Sequence, residues 1–387
     1  MRYKTALLII LSFSFLSAQI AWDAARPFVG LGGPGARANG LGQAFTGVAD
    51  DATALFYNPA GLAHLTRTEF DIGFDHLSVT TDVRDASASQ SATITATRLN
   101  NAAFTFPIED AKMTAAVGYQ MVRAFERKRD LPGTPIIEDF TEEGKLGTWS
   151  MGLGYQISTK AAVGMGVDVL RGRNTYTEPI DNYVLEPTYT GLGASVGLLL
   201  SPIPAWRVGL LMRSPQSLQV DEEERWDGTV TREYKTRSSY SLRMGSSLMA
   251  GPLLLTADVF WFDYSQIRFD SDITVDDTTS QYIDVSINQE IRSDYISTLG
   301  YAVGFEMLLP IANAKLRAGH RMDPNYERGA PAEMNQQTLA MGLSVVPVPQ
   351  LKLDVALSLT TWQRHLDVDQ REETSVTNVT ISFIYRF

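Results

Sequence analysis

The sequence predicts an all-β protein: a closed antiparallel transmembrane β-barrel of about fourteen strands, with a small helical N-terminal hatch inside its lumen. Three observations predict this class. The chain starts with an export-type segment, its strand-like stretches alternate with period two over membrane-spanning length, and the connections between them are alternately short and long.

Residues 1–18 begin with Arg2 and Lys4, continue through an apolar stretch from Ala6 to Phe15 and end on Ala18. That is the layout of a cleavable secretory signal. It falls short of the roughly 20 apolar residues that a spanning helix needs, so the mature chain is expected to begin near Gln19. With no cysteine, neither a disulfide framework nor a thiolate metal site can form. The four histidines (His64, His76, His320 and His365) lack ligand-like spacing. Neither metal, cofactor nor catalytic residues are therefore expected, and no Ser-His-Asp or paired-carboxylate arrangement is readable. A net charge of −11 argues against nucleic acid, whose phosphates demand a basic face.

Beyond residue 18 no run is apolar for the roughly 18 residues of a transmembrane helix. Alternation appears instead. From Trp149 to Ile157 every odd residue is large and apolar and every even one small or polar. Val163 to Val169, Trp206 to Met212 and Tyr295 to Leu309 repeat the pattern. About ten alternating residues suffice for a tilted strand to cross a bilayer, whereas soluble strands average about 5–6.

In order, strands are expected at 68–77, 95–107, 112–123, 146–157, 161–170, 189–200, 205–213, 237–249, 253–264, 294–309, 314–321, 336–346, 351–361 and 375–387. Tight connections fall at Ile108–Ala111, Ser158–Lys160, Ser201–Pro204, Ala250–Pro252, Pro310–Asn313 and Pro347–Gln350. Long ones fall at 78–94, 124–145, 171–188, 214–236, 265–293, 322–335 and 362–374. Short periplasmic turns and long outer loops are what outer-membrane barrels show, as is an even strand count. An even count puts both termini on the periplasmic side. Closure is a physical requirement, because an open edge in hydrocarbon leaves unpaired backbone groups. Trp149, Trp261 and Trp362 at loop ends and Tyr155, Trp206 and Phe387 at turn ends read as two aromatic girdles. The last strand alternates Ile381, Phe383, Tyr385 and Phe387 with Thr380, Ser382, Ile384 and Arg386.

Ahead of the first strand lies a glycine-rich element, so the chain divides into 1–18 (signal), 19–66 (hatch) and 67–387 (barrel). Gly30 to Gly35 and Gly40 to Gly42 superficially suggest a phosphate cradle, but the strand, helix and acidic residue of a βαβ unit are missing. The stretch Gly40–Ala63 instead reads as a helix with Val48, Ala52, Leu55 and Phe56 on one face. Asp50 and Asp51 sit in its first turn. It stops at Asn58, which precedes Pro59. Fourteen strands enclose a wide lumen, and this element is the candidate to block it.

Gly35-Ala36-Arg37-Ala38, Gly40 to Phe45, Ala49 to Ala54 and Tyr57-Asn58-Pro59-Ala60-Gly61-Leu62 resemble the hatch of the FadL/TodX-like outer-membrane transporters. A related hatch occurs in PorV/PorQ-like proteins of secretion and surface attachment. The first resemblance implies passive uptake of hydrophobic small molecules such as long-chain fatty acids or aromatic hydrocarbons. A hatch movement and a kinked strand would then release the ligand sideways into the membrane. It implies that Asn58, Pro59, Ala60 and Gly61 form the hatch motif; their other reading is a helix stop and turn. The terminal Phe387 resembles the signal that such barrels present to their assembly machinery. Outer-membrane lipid and lipopolysaccharide would be the remaining partners.

Parity adds candidates. If Leu253, Leu255, Ala257, Val259 and Trp261 face lipid, then Leu254, Phe260, Phe262 and Tyr264 face inward, joined by Ile296 and Leu308. They suit a greasy ligand or contact with the hatch. Gly118 is a candidate strand kink. Inward charges, among them Asp71, Asp75, Asp168, Arg207, Arg243, Asp258, Glu306, Arg317 and Asp354, are expected to pair across the lumen or bond the hatch. Acidic loops such as Asp221 to Glu224 read as solvated tips or as cation sites at a lipopolysaccharide surface. An outer-membrane uptake channel for hydrophobic compounds leads, and a PorV/PorQ-like secretion component is the alternative.

Overall fold

A computed structural model describes residues 22–30, 33–84, 89–129, 139–179, 182–226, 228–271, 277–310, 313–367 and 370–387. The expected signal segment and Gln19 lie outside the described residues. Eighteen strand segments form a single sheet. Four strands are interrupted once each, so the sheet has fourteen strands. They are β1 (Glu69–Arg84), β2 (Ser89–Ile108), β3 (Met113–Ala124, then Arg127–Arg129), β4 (Phe140–Ser158), β5 (Ala161–Glu178), β6 (Tyr183–Ile203) and β7 (Trp206–Arg213, then Ser217–Arg225). There follow β8 (Thr229–Arg237, then Ser241–Ala250), β9 (Leu253–Asp263, then Arg268–Ser271), β10 (Ser297–Leu309), β11 (Ala314–Asp323), β12 (Gln336–Val348), β13 (Leu351–Asp367) and β14 (Gln370–Arg386).

Each strand pairs antiparallel with its neighbours, and β1 closes the ring on β14 from Glu69↔Arg386 to Arg84↔Arg371. The ring of strands is thereby closed, as hydrocarbon requires. Period two holds in the walls: Trp149, Met151, Leu153 and Tyr155 face out, Met151 with 65% of its surface exposed, while Ser150, Gly152 and Gly154 are buried. Among the described residues no helix is long and apolar enough to cross a membrane.

All fourteen expected strands are present, but several run much farther at their loop ends. The expected loops 78–94, 171–188 and 362–374 are largely strand, as β1 continues to Arg84 and β2 starts at Ser89. Beyond the bilayer the outer face meets water, so the lipid-facing apolar residues stop at Phe74; Ser78, Thr80 and Asp82 face out while Leu77, Val79 and Val83 turn inward and are buried. Within 265–293 lies a helix that periodicity should have caught, α3 (Asp277–Asp294), with Ile287 and Ile291 buried four residues apart. Asn288 of α3 accepts from Phe269 N at 2.9 Å and donates to Phe269 O at 2.7 Å. Its amide thus stands in for a neighbouring strand at the exposed edge of β9.

The expected single hatch helix is two short ones, α1 (Ala36–Gly40) and α2 (Ala54–Tyr57), with turns between them. Gln43 and Ala49 have positive φ there. The intervening backbone makes isolated turns, such as Ala49 N to Phe45 O at 2.8 Å, and bonds the barrel wall between them. Phe45 N and Thr46 N donate to Asp258, and the carbonyls of Ala44 and Gly47 accept from Thr256 and Ser247. Asp51 forms an Asx turn just ahead of α2, accepting from Thr53 N at 3.1 Å. At the far end Asn58 is extended (φ −170°), so α2 stops there as expected.

The barrel strands begin and end on the turn side, where Phe387 N donates to Thr68 O at 3.0 Å. Residues 22–28 lie elsewhere. They sit at the loop ends, with Ala24 O accepting from Thr236 Oγ1 and Arg26 paired to Glu142. The chain therefore descends through the lumen before entering β1, and the expectation that its start lies at the turns does not hold for these residues.

Candidate functional site: a plugged lumen and its chambers

The hatch sits against the wall from β4 to β12 through inward glycines on every strand but β9, which contributes Thr256 and Asp258 instead. Gly164 faces the Pro59–Ala60 backbone, Gly197 faces Asn58, Gly209 faces Thr46 O, and Gly245 faces Gly47 N. Gly304, Gly319 and Gly342 continue around to Leu41, Gly42 and Gly40. These glycines are ladder partners, as in Gly164↔Gly197, Gly245↔Gly209 and Gly304↔Gly319, or two residues out of register, as with Gly197 and Gly209 or Gly319 and Gly342. A Cβ at most of them would collide with hatch backbone, so only glycine permits this approach.

Asn58 is fully buried, donates to both Thr46 O and Leu198 O at 3.1 Å and accepts from Ala60 N. One amide therefore joins two parts of the hatch to β6. Pro59 starts the 3-10 turn Pro59–His64, and Ala60 packs with Ala162 and Leu199 of the wall. Gly61 leaves no room for a side chain against Ala49. Both meanings of the motif, helix stop and wall contact, coincide in these residues.

Ion pairs tie down the opposite side. Arg37 of α1 reaches Glu306 at 3.0 Å and also pairs with Asp50. Arg317 bonds Glu306 at 2.7 Å and Asp354 at 2.8 Å, with Lys315 and Lys352 completing the network. The Arg317 and Asp354 side chains are both 0% exposed. Burial by itself would raise the Asp50 carboxyl, but Arg37 holds it below its usual range. Of the other inward charges, Arg207 donates to Val48 O at 3.4 Å, Asp71 accepts from Asn101 and Asp75 from Asn100. Asp168 accepts from Ser150 and lies 3.9 Å from Arg213.

Above the hatch lie three cavities with shared walls. The central one, about 260 Å³, is bounded by Phe28, Phe56, Leu211, Phe260, Phe262 and Tyr264 and by six arginines, of which Arg213, Arg243 and Arg321 lie over aromatic rings of its wall. Arg213 covers Phe56 at 4.2 Å, while Arg321 and Arg243 lie over Phe260 at 4.5 and 4.9 Å. Arg321 is neutralised by Asp323 at 2.5 Å. Arg243 has no carboxylate within 4 Å among the described residues and, contrary to expectation, forms no cross-lumen pair there. A polar vestibule of about 880 Å³ at the mouth shares Trp22, Arg127 and Arg364 with this chamber. A third cavity, about 270 Å³, runs along the hatch to Leu77, Val79, Asn100, Met121 and Val122.

Three of the six apolar candidates, Phe260, Phe262 and Tyr264, line the central chamber. Leu254 is buried in the same apolar cluster as Leu41 and Phe45 of the hatch, Ile296 is half-buried at the loop end, and Leu308 is 45% exposed at the turn end. Parity indicates which face a residue occupies and leaves its height along the barrel open. Trp362, expected in a girdle, has the parity of buried Asp354 and Ala356 and lines two of the cavities. Sequence reading also passed over residues 22–30, whose Trp22, Phe28 and Val29 form part of the chamber wall.

Gly118 is not the kink. It keeps regular register with Ala103 and Ser150. The break comes at Val122, an extra residue between Met121↔Gly147 and Arg123↔Leu146. Opposite it, Asn100 is the extra residue between Gly73↔Asn101 and Phe74↔Leu99. With a bulge on each strand, the β2–β3 ladder ends at Asn101↔Gln120. Beyond it β3 turns inward, and Arg127 and Arg129 reach Glu372 of β14 at 3.5 and 2.6 Å. A seam is left between β2 and β3, bordering the third cavity.

A family model described as outer membrane protein transport protein (OMPP1/FadL/TodX) matches residues 34–227. Among solved structures, a Pseudomonas aeruginosa FadL homologue aligns with TM-score 0.71 at 13% identity, covering 92% of this chain and 99% of that one. The toluene transporters TodX of P. putida (TM-score 0.62, 14% identity) and TbuX of Ralstonia pickettii (0.64, 15%) align with the same coverage. At these identities the likeness shows the fold. No curated protein matches the sequence, and nothing in these matches supports the PorV/PorQ alternative.

Proposed function

As the chain belongs to the OMPP1/FadL/TodX family of outer-membrane transport proteins, we propose that it is a passive uptake channel for hydrophobic molecules carrying an anionic head, such as long-chain carboxylates. The observation that carries this reading is Arg243, a cation beside aromatic walls that makes no ion pair within 4 Å among the described residues, Asp258 acting on it only from farther away. A neutral hydrocarbon would leave that guanidinium without a direct salt-bridge partner. A carboxylate would receive a charge-assisted, bidentate bond while its tail takes the apolar wall.

The cavities supply a route. The vestibule, whose arginines and carboxylates are balanced, opens into the central chamber; that chamber holds the ligand, and the third cavity leads to the seam between β2 and β3. Lateral release keeps the apolar tail out of the periplasm and leaves the hatch, with its motif Asn58 to Gly61, seated. The fold requires no catalytic step for this work.

The test is binding to the purified protein of oleate and of heptadecane, a neutral chain of similar length. Replacing Arg243→Gln should weaken oleate about tenfold, the cost of one charge-assisted bond, and leave heptadecane unchanged. Equal loss for both would show that Arg243 only shapes the wall, and unchanged oleate binding would remove the carboxylate from the reading.

A further inference from the structure

The seam is crossed by one buried ion pair. Arg98 lies on β2 two residues beyond the Asn100 bulge, and Glu126 occupies the interruption of β3. Their side chains pair directly and are only 8% and 7% exposed. The same guanidinium donates to Gly144 O of β4 at 3.3 Å and lies 3.7 Å from Met121 Sδ. Above Asn101↔Gln120 no ladder joins β2 to β3, so among the described residues Arg98 supplies the polar bonds across the gap.

We infer that Arg98 and Glu126 form a latch on this seam, opened when the carboxylate of a transported amphiphile replaces Glu126 on the Arg98 guanidinium. Glu126 itself lines the third cavity, beside Met121 and Val122. A carboxylate arriving there meets Arg98 where, among the described residues, β2 and β3 are joined by side chains alone. Exchange of one carboxylate for another leaves the buried cation compensated throughout, which an unassisted opening would not. Tails without an anionic head have nothing to exchange, so the latch selects ligands for passage. The exchange step rests on the carboxylate-uptake reading above; the closure of the seam by this pair does not.

The chain has no cysteine, so Met121→Cys places a single thiol behind the latch. Its rate of maleimide labelling in lipid vesicles reports opening without any transport measurement. Adding Glu126→Gln should raise that rate about tenfold, as loss of a buried pair predicts. Oleate should raise the rate in the Met121→Cys protein and add little once Glu126→Gln is present, while heptadecane does neither. The charge-reversed pair, Arg98→Glu with Glu126→Arg, should return labelling to the slow rate, with resistance to heat-unfolding on gels confirming an intact barrel. An unchanged rate in Glu126→Gln, or equal effects of oleate and heptadecane, overturns the latch. If labelling follows the latch pattern yet vesicles take up no oleate, the latch stands and the uptake reading falls.

Discussion

Two parts of the barrel wall meet the lumen in opposite ways. From β4 to β12 the wall offers glycines, and the hatch lies backbone to backbone against it. At the β2–β3 seam the wall offers two bulges, a ladder that ends early and a bridge of side chains. Backbone contact over many residues cannot be undone piecemeal, because each step would strand buried amide and carbonyl groups. A bridge of one ion pair can open alone. The comparison teaches that the two regions resist opening to different degrees: the hatch side is held by many backbone contacts, and the seam, where the proposed exit lies, by one side-chain bridge.

The largest effect should come from filling the belt. Gly209→Val would drive a branched side chain into Thr46 O, an overpacking of about 1–3 kcal/mol that the hatch can relieve only by lifting. Single-channel recordings in planar bilayers should then show an ion-conducting pore where the parent protein is silent; a silent Gly209→Val would mean that the belt is not the seal. Next comes the seam. Deleting Val122 removes the extra residue and lets β3 continue alongside β2, so oleate uptake by vesicles should fall close to background with the hatch undisturbed. Uptake at the parent rate would place the exit elsewhere.

A smaller effect is expected where residues 22–28 enter the lumen. Burial pushes the Asp23 carboxyl up to about 7, with Arg26 at 3.8 Å opposing the shift. An acid raised from 3.8 favours the seated, protonated form, so that stabilisation is complete below about pH 4 and is lost as the pH rises through about 7. Hydrogen exchange of residues 22–30, corrected for intrinsic rates, should speed up between pH 5 and pH 8, and Asp23→Asn should flatten the change. A wild-type profile as flat as that of the variant would show that the segment is held by Arg26–Glu142 and Thr236 regardless of Asp23.

Much of the wall was legible because lipid and lumen impose opposite demands on successive residues. Trp149 to Tyr155 state that alternation without ambiguity, and so does the pairing of inward Glu306 with Arg317. The lipid-facing alternation stops where the outer face turns to water, which is why β1 runs farther than its outward apolar residues indicate, with Val79 and Val83 buried on the inside. It also fails to locate a residue along the barrel, so Leu308 and Phe260 look alike in sequence although one is at a rim and the other under Arg243 and Arg321. A bulge leaves no composition signal at all. Gly118 looked like a kink and is regular, whereas Val122 looked regular and is the bulge.

By itself the sequence determined the barrel, its strand number and the presence of a glycine-hinged element too polar in backbone to lie in lipid. These follow from local periodicity and from the rule that buried backbone must be paired. Only the tertiary structure decided that glycines distant in the chain align as one seat, that Arg243 is left without a carboxylate, and that Asn100 and Val122 face each other across a gap. Those are matters of register between strands, which depends on how distant segments are stacked and is not carried by any one of them.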